Sequence, residues 1–555
     1  MIATVDVSQK SIGNKQLLKD LRFSIEDHEK LAIIGRNGVG KTTLFGILAG
    51  IDQDFSGSVT FRNGVRVMAT RQEHHDVDDE LVIRYIVENL PEYAELKLIL
   101  DTYPDTMGDN IRKITIYSEA LERFSQLDYY TVEDRIRRSL ADYQLGAAAD
   151  RPMRSLSGGQ KRFVELIRVE YSDADVALID EPTNHMDYVA KAAFLKWFAA
   201  TKHAVVVITH DRDLLQQVER IIEIKDMTAH NFPGNYDAYL KQNAARTMGV
   251  LNNYDTMQRR IANIKKQIIF ARSKKASWGG TADKKNPFVV MEDKLVKELK
   301  GLESEERPSF WIDQESINSL QPKMEENYQK HKAKSIHIRR VVQEERTRDL
   351  LQLENIQAGY GKALFKPLSL SVQTGERVQI IGRNGVGKTT LVKTIMGFTE
   401  KHRPETLLAG DIKLDSKLTI NSYEQELDSS LLDLTLAQAI KQMYNGFEIP
   451  ISNEEIMRIL SEYLFDPYGD REHLVRNLSG GQKARLQLIK LFANKPNLII
   501  VDEPTNHLDL PSIEELESVL KQYAGSLLYI SHDSYLAKHL GGEALTIQPV
   551  DQKAE

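Results

Sequence analysis

The sequence has 555 residues, of which 41% are hydrophobic and 28% charged, and a net charge of −7; this length exceeds what one hydrophobic core organises and predicts two to four domains. The chain has no cysteine, which excludes disulfide frameworks and thiolate zinc or iron–sulfur centres and suits a reducing compartment. No stretch approaches the roughly 18 consecutive apolar residues of a membrane-spanning helix, and no secretory signal is visible, so we expect a cytoplasmic protein.

The first motif in chain order is a glycine-rich loop. The apolar strand EKLAIIG leads into the loop from Gly35 through Gly40 to Lys41 and Thr42, and the predicted helix TTLFGILAG follows. This is the context that a G-x-x-x-x-G-K-[ST] phosphate-binding loop requires. We expect its backbone N–H groups to surround a phosphate, Lys41 to pair with the β- and γ-phosphates, and Thr42 to bind Mg²⁺. The alternative is a chance match in a glycine-bearing loop.

The segment after this loop is longer than its counterpart later in the chain. Gln72 in ATRQEH and Gln425 in SYEQEL occupy equivalent positions, yet 85 residues separate the first from the serine of the next LSGGQ and 54 separate the second. The first copy therefore has an insertion of about thirty residues within 73–154. Stretches such as DELVIRYIVENL predict that this insertion is helical.

LSGGQK follows the insertion and precedes a predicted helix. A serine and paired glycines at the start of a helix form an anion site through backbone donors and the positive end of the helix dipole. One nucleotide does not need two such loops from one domain, which favours opposition of the phosphate loop of one half to the LSGGQ of the other. The residues of this prediction are Ser157, Gly158, Gly159 and Gln160, with Ser479, Gly480, Gly481 and Gln482 in a second copy.

Two further apolar strands end in chemically active residues. DVALID ends at Asp180 and is followed by Glu181, and AVVVITH ends at His210. We expect Asp180 to hold Mg²⁺ through water and Glu181 to activate the water that attacks the γ-phosphate. His210 is placed to hydrogen-bond the γ-phosphate. The alternatives are a helix-capping acidic pair and a structural histidine.

The region between the two copies, residues 236–348, has a different character. Its first forty residues have helix-forming composition, spaced apolar positions and no proline, and they predict one long helix, with further charged helical segments after breaks. Both ends must return to neighbouring domains, so an antiparallel helical hairpin fits better than a flexible linker. Residues 241–290 contain 11 basic and 2 acidic residues. Such an excess indicates a polyanionic partner, although a solvated helix face has the same pattern.

The second half of the chain repeats every one of these motifs, including IIGRNGVGKTTL letter for letter at 33–44 and 380–391. This duplication, with alternating strands and helices, predicts an α/β fold with a largely parallel sheet in each half. The predicted domains are 1–235, 236–348 and 349–549, with a tail at 550–555. The equivalent residues are Lys388 for the phosphates, Thr389 and Asp502 for Mg²⁺, Glu503 for the attacking water and His532 for the γ-phosphate.

The phosphate loops, LSGGQ, DEPTNH and terminal histidines, in this order, resemble the nucleotide-binding domains of the ABC ATPase superfamily. Two such domains around a charged helical linker resemble the ABC-F family over essentially the whole chain. The resemblance implies two P-loop ABC-type domains joined by a long α-helical hairpin, and two sites that bind ATP and Mg²⁺. It adds Gln72 and Gln425 as Mg²⁺ and ATP contacts. The implied phosphate-loop residues are Gly35, Asn37, Gly38, Gly40, Lys41, Thr42 and Thr43, and Gly382, Asn384, Gly385, Gly387, Lys388, Thr389 and Thr390.

The resemblance also implies partners. ABC-F proteins bind the ribosome near its tRNA exit site, and their hairpin reaches towards the P-site tRNA and the peptidyl-transferase centre in 23S rRNA. The inserted helical element corresponds to an arm that contacts proteins at the exit-site rim. Two ATP molecules close the domains on each other within one monomer, and hydrolysis reopens them. Some members tune translation generally and others displace antibiotics, and the long linker with a short arm favours the second role.

One feature departs from the family pattern. ABC domains usually stack an aromatic side chain on the adenine, and Tyr360 fits this role in the second half. Its counterpart in the first half is Gly13. We therefore expect the first site to bind nucleotide less tightly or less selectively.

Basic and aromatic residues near a break in the linker suit contact with an RNA backbone together with base stacking. Two rival functions remain open: the energy-coupling subunit of a membrane transporter, and a DNA-organising or repair ATPase. A charged hairpin between the domains has no evident role in a transporter, and the repair type carries cysteine zinc sites. The predicted RNA contacts are Arg272, Lys274, Lys275, Trp278, Lys284, Lys285 and Phe288.

Overall fold

The structure is a computed structural model that describes residues 1–13, 15–71, 77–184, 186–276, 287–303, 336, 348–398, 402–423, 427–506 and 508–550. The chain forms two compact units. The larger consists of Met1–Tyr236 with Ile336–Glu555 and contains both copies of the motifs, and the smaller consists of Asp237–Ser335. The division of the chain into domains at 235 and 349 stays a prediction.

The N-terminal half of the larger unit consists of two sheets and their flanking helices. Its strands are β1 (Ala3–Ile12), β2 (Lys15–Ile25), β3 (Lys30–Gly35), β4 (Ser56–Phe61), β5 (Val67–Ala69), β6 (Val176–Asp180), β7 (Ala204–Ile208), β8 (Arg220–Lys225) and β9 (Thr228–Pro233). Its helices are α1 (Lys41–Leu48), α2 (Val82–Val87), α3 (Tyr93–Thr106), α4 (Ile111–Gln126), α5 (Val132–Asp142), α6 (Gly158–Tyr171), α7 (Tyr188–Ala200) and α8 (Arg212–Leu215). One sheet has the antiparallel order β2-β1-β4, and the other has the order β5-β6-β7-β3-β8-β9, parallel except for β9.

The C-terminal half has the same plan. After the two helices of the smaller unit, α9 (Tyr236–Ala276) and α10 (Pro287–Glu303), its strands are β10 (Asp349–Ala358), β11 (Leu368–Gln373), β12 (Arg377–Ile381), β13 (Leu407–Leu414), β14 (Ile420–Tyr423), β15 (Leu498–Asp502), β16 (Ser526–Ile530) and β17 (Glu543–Thr546). Its helices are α11 (Lys388–Gly397), α12 (Leu436–Gly446), α13 (Asn453–Glu462), α14 (Gly480–Phe492), α15 (Leu510–Gln522) and α16 (Ser534–Leu540). An antiparallel sheet β11-β10-β13 accompanies a parallel sheet β14-β15-β16-β12-β17.

The central strands explain why the chemistry gathers at one edge of each sheet. The β6 sequence VALID is buried except for its partly buried terminal Asp180, and all of β7, AVVVI, is buried. Continuous Val and Ile runs of this kind form parallel strands that are covered on both faces. Because β6 and β7 are parallel and in register, Asp180 lies opposite Ile208, two residues before His210. The predicted α/β fold with a largely parallel sheet in each half is confirmed.

In the part of the chain that the structure describes, residues 77–154 carry helices without a counterpart in the second half. Between the end of β5 and α6 the first half has α2, α3, α4 and α5, whereas between β14 and α14 the second half has α12 and α13. The pair α3 and α4 is closed by an aromatic cluster of Tyr93, Phe124 and Tyr129, with ring centroids 5.4 to 5.8 Å apart. Arg123 adds two hydrogen bonds to the carboxylate of Glu92. At 1.5 Å per residue, these helices extend about 20 Å.

The smaller unit contains an antiparallel pair of helices. Ile264 and Ile268 of α9 form an apolar cluster with Leu295 of α10. Ion pairs join Arg260 to Glu298 at 2.9 Å and, further along α9, Arg272 to Glu292 at 2.7 Å. Because the more C-terminal residue of α9 pairs with the more N-terminal residue of α10, the two helices run in opposite directions.

A buried carboxyl group on α6 predicts a pH-dependent stability. Glu170 accepts a hydrogen bond of 2.7 Å from the Tyr143 hydroxyl, and burial raises the pKa of Glu170 to about 7. In the unfolded chain this group ionises near its ordinary pKa of about 4.5, so folding stability falls as the pH rises from about 4.5 to 7 and then stays level. The shift corresponds to roughly 3 kcal/mol.

We therefore expect Glu170→Gln to be more stable than the wild type at pH 8 and to lose that advantage at pH 4.5. Urea unfolding of the full chain across this pH range measures the difference. Glu119→Gln on the exposed face of α4 is the matched control. A pH profile of Glu170→Gln parallel to that of the wild type would contradict the assignment.

Candidate nucleotide sites at the interface of the two halves

The two phosphate loops have the same conformation. Gly40 and Gly387 precede α1 and α11 with φ of 102° and 103°, which an L side chain rarely adopts. The Lys41 ammonium donates to the carbonyl of Gly35 at 2.7 Å, and Lys388 donates to that of Gly382 at the same distance. In both loops the lysine therefore lies inside the ring of backbone that is predicted to hold the phosphates.

The acidic pairs lie at the ends of the adjacent strands and are partly buried. Asp502 ends β15 and accepts a hydrogen bond of 2.7 Å from the Thr389 hydroxyl. A hydroxyl and a carboxylate at this spacing are hard oxygen donors of the kind that Mg²⁺ prefers. Burial, followed by the charge of Asp180, raises the pKa of Glu181 to about 8, and burial raises that of Glu503 to about 7.

Each histidine lies against the glutamate of its own half. His210 Nε2 is 3.4 Å from Glu181 Oε1, and His532 Nε2 is 3.2 Å from Glu503 Oε1. Burial and the neighbouring lysine ammonium lower the pKa of His210 to about 3 and that of His532 to about 4. Both imidazoles are therefore neutral at pH 7. Each then has one nitrogen that can donate a hydrogen bond and one that can accept it.

One cavity of about 810 Å³ joins these groups from both halves. The two phosphate loops, the two acidic pairs and the two histidines all line it, with Leu17 and Leu364 at equivalent positions. The serines Ser157 and Ser479 do not line it. Among the described residues, the structure thus brings together those predicted for phosphate, Mg²⁺ and the attacking water.

Each signature serine caps the helix that follows it. Ser157 accepts the N–H of Gln160 and Ser479 that of Gln482, and each glutamine side chain in turn accepts the serine N–H. The start of α14 lies against the first phosphate loop, since a Cβ added to Gly480 would be 3.2 Å from Asn37 Nδ2. At Gly158 and Gly159 an added Cβ would meet no atom within 4 Å. The predicted opposition of a phosphate loop to the LSGGQ of the other half therefore has a direct contact at the first phosphate loop, between Asn37 and Gly480.

Two aspartates at the interface were missed by the sequence analysis. The Asn37 N–H donates to Asp509 at 2.9 Å, and the Asn384 N–H donates to Asp187 at 3.0 Å, so each half holds the phosphate loop of the other. Burial alone would raise the pKa of Asp187, but the N–H groups of Ala190 and Asn384 outweigh it and keep the pKa below its usual range. The available signal was the second aspartate in DEPTNHMD and DEPTNHLD, repeated at the same offset as the motif itself.

The predicted adenine platform differs between the halves. Tyr360 is 68% exposed in a loop closed by the bridge between Gly359 and Ala363. In the first half β1 and β2 are paired up to Ile12 and Lys15, and Gly13 has φ of 57° in the tight turn between them. A two-residue turn that needs a positive φ disfavours an aromatic side chain at that position.

We accordingly expect Tyr360→Ala to weaken ATP binding at the second site about tenfold, because base–aromatic stacking contributes on the order of 1–3 kcal/mol. Gly13→Ala removes no ring and serves as the control in the first half. Titration of the full chain with a fluorescent ATP analogue, with Lys41→Ala or Lys388→Ala isolating each site, measures both affinities. Equal losses for the two variants would contradict the role of Tyr360.

Some predicted residues lie outside the described part of the chain. These are Gln72, Gln425, Trp278, Lys284 and Lys285, together with the side chain of Lys275. Of the remaining predicted RNA contacts, Arg272 pairs with Glu292 and keeps 63% of its side chain exposed, and Lys274 lies 5.9 Å from the ring centre of Phe270. Phe288 is in the first turn of α10.

The fold and the cavity define a tandem P-loop protein that binds ATP. Comparison with known proteins agrees with this class. The ABC transporter family model matches residues 18–184 and 365–506, together more than half of the chain. The chain therefore belongs to the ABC family, and it is an ATPase.

Individual relatives refine this assignment. The ATP-binding protein YdiF of Bacillus subtilis (strain 168) is 28% identical over 99% of this chain and 80% of its own length. ABC transporter F family member 5 of Arabidopsis thaliana is 28% identical over 97% of this chain and 74% of its own. The resemblance to ABC-F proteins is thus confirmed. The structure of the archaeal ribosome recycling factor aABCE1 in complex with the ribosomal stalk protein aP1 has a similar fold, with TM-score 0.56, 16% identity and coverage of 98% of this chain and 87% of that one.

Proposed function

We propose that this ATPase binds the ribosome near the tRNA exit site and acts on the P-site tRNA and the peptidyl-transferase centre through its interdomain hairpin. The observation that carries the proposal is the single cavity, in which each phosphate loop is held by the opposite half. ATP bound there stabilises the contact between the halves, so ATP hydrolysis allows the two halves to move apart. An ATP-dependent clamp joined to a long helical hairpin suits a factor that occupies a large partner transiently.

The chemistry follows from the geometry of each half. We assign Lys41 and Lys388 to the phosphates, and Glu181 and Glu503 to the attacking water, because all four line the cavity and because burial, which raises the pKa of each glutamate, makes its ionised carboxylate a stronger base. Thr42 with Asp180, and Thr389 with Asp502, would hold Mg²⁺, which would supply positive charge to neutralise the phosphates. Gln72 and Gln425 complete the two Mg²⁺ sites in this proposal. His210 and His532 hydrogen-bond the γ-phosphate as neutral imidazoles.

The hairpin supplies the RNA contact. Residues 241–290 have 11 basic and 2 acidic residues, and α9 alone has 41 residues, about 60 Å at 1.5 Å per residue. Phosphate neutralisation by such a segment gives a salt-dependent affinity for RNA. In the first half, α3 and α4 are the element that we assign to proteins at the exit-site rim.

A hydrolysis-deficient chain tests ribosome binding. Glu181→Gln/Glu503→Gln should remain on ribosomes in sucrose gradients with ATP, because the clamp closes and cannot reopen, while the wild type dissociates. Glu219→Gln/Glu472→Gln, at two exposed positions outside α3 and α4, is the matched control and should behave as the wild type. Absence of the Glu181→Gln/Glu503→Gln chain from ribosomal fractions, although it binds ATP, would overturn the proposal.

The same gradients address the transporter alternative. Among the described residues no helix has the length and apolar character needed to cross a bilayer. A transporter subunit would co-fractionate with membranes, and that outcome would replace the ribosome proposal.

Within this proposal, we assign the chain to the members that protect ribosomes from antibiotics. The support is the contrast between the long hairpin and the short α3–α4 pair, of 14 and 16 residues. Expression in a susceptible bacterium should raise the inhibitory concentration of at least one drug that binds near the peptidyl-transferase centre, and Glu181→Gln/Glu503→Gln should abolish the effect. If the inhibitory concentration does not change for any drug in a panel of this kind, the assignment to antibiotic protection is wrong, and a general role in translation remains the proposal.

A further inference from the structure

The two histidine loops meet directly across the interface of the halves. Helix α8 begins two residues after His210, and α16 begins two residues after His532. The Asp213 carboxylate accepts a hydrogen bond of 2.6 Å from the Ser534 hydroxyl, and the Gln216 amide donates to the Tyr535 hydroxyl at 2.8 Å. These contacts join the segments that follow the two catalytic centres.

Arg212 lies at the centre of this contact. Its side chain is 1% exposed, and its guanidinium donates to Glu517 of the other half at 2.7 Å and lies 5.3 Å from the centre of the Tyr535 ring. Its Nε and Nη2 atoms are buried without a hydrogen-bond partner. The charge of this buried cation is balanced mainly by Glu517, with Asp533 of the same half as a further acid, and removal of Glu517 leaves a charge that the interior solvates poorly.

Short, stiff connections run from this contact to each catalytic glutamate. Asp211 caps α8 and Asp533 caps α16 through their side chains, which fixes each helix to the histidine before it. His210 Nε2 in turn lies 3.4 Å from the carboxylate of Glu181, and His532 Nε2 lies 3.2 Å from that of Glu503. A displacement of one histidine loop is thus transmitted to the other through α8 and α16.

This contact is not part of the duplication. At the offset that relates His210 to His532, Arg212 corresponds to Ser534 and Glu517 to Leu195. Lys191, which forms ion pairs of 2.8 and 2.6 Å with Asp211 and Asp213, corresponds to Ile513. The ion pair between Arg212 and Glu517 is therefore unrepeated, in contrast to the phosphate loops and aspartates, which occur twice.

We propose that Arg212, Glu517 and Tyr535 form a joint through which each ATP site controls hydrolysis at the other, with Arg212 as a positioning residue for both catalytic glutamates. The joint is distinct from the ATP-mediated contact because none of its three residues lines the nucleotide cavity. It persists when the cavity opens and carries the state of one site to the other. This inference concerns ATP hydrolysis by the chain alone and stands or falls independently of ribosome binding.

The test measures coupling between sites in the full-length protein. Glu181→Gln and Glu503→Gln each leave one site intact, and the turnover of that site is compared with half the wild-type rate. In the wild-type background we expect inactivation of one site to change the other by about tenfold, within the usual range of coupling between sites. In the Arg212→Met background we expect that change to disappear, and the Hill coefficient for ATP to approach that of independent sites.

Controls separate coupling from folding. Arg137→Met removes a bidentate ion pair with Asp150 inside the first half and should leave the coupling intact. The exchange Arg212→Glu/Glu517→Arg should restore part of it. If Arg212→Met does not fold, as judged by thermal unfolding, the same measurement is made on Glu517→Gln, which removes the charge of the partner and keeps the shape of its side chain. Folded variants with lower turnover but unchanged coupling would assign Arg212 a purely structural role and overturn the proposal.

Discussion

Each half of the larger unit holds the phosphate loop of the other by a single buried carboxylate. Asp187 and Asp509 cap their own helices, and each also accepts a backbone N–H from the opposite loop, at Asn384 and Asn37 respectively. A buried carboxylate is stable only when donors surround it. The shared cavity and the approach of Gly480 to the first loop both depend on this exchange of hydrogen bonds.

The electrostatics of the cavity follow from its burial. Burial and the lysine ammonium groups keep the histidines neutral, whereas burial and the neighbouring aspartate raise the pKa of each glutamate. The buried lysines offset this only in part. Such a cavity favours occupants that bring their own balance of phosphate and divalent cation, which is the chemistry of an ATP site.

The matched and unmatched parts of the molecule have different roles. The phosphate loops, acidic pairs and interface aspartates occur twice with the same geometry, as a two-site clamp requires. The exposed Tyr360, the α3–α4 pair and the Arg212 joint occur once. The repeated chemistry makes the protein an ATPase, and the unrepeated elements distinguish its two sites and the surfaces that it presents to a partner.

The sequence by itself determined the α/β class, the positions of the phosphate loops and strand-end acids, and the long helix of the hairpin, because each rests on a local pattern, and most occur twice. Only the tertiary structure decided which surfaces meet. Asp187 and Asp509 are visible in the sequence as the aspartate that follows each DEPTNH motif, but this local pattern does not indicate which residue of the other half each one contacts. Arg212 and Glu517 lie 305 positions apart and have no repeated counterpart. Their contact depends on how two folded halves pack, which short-range patterns of residues do not encode.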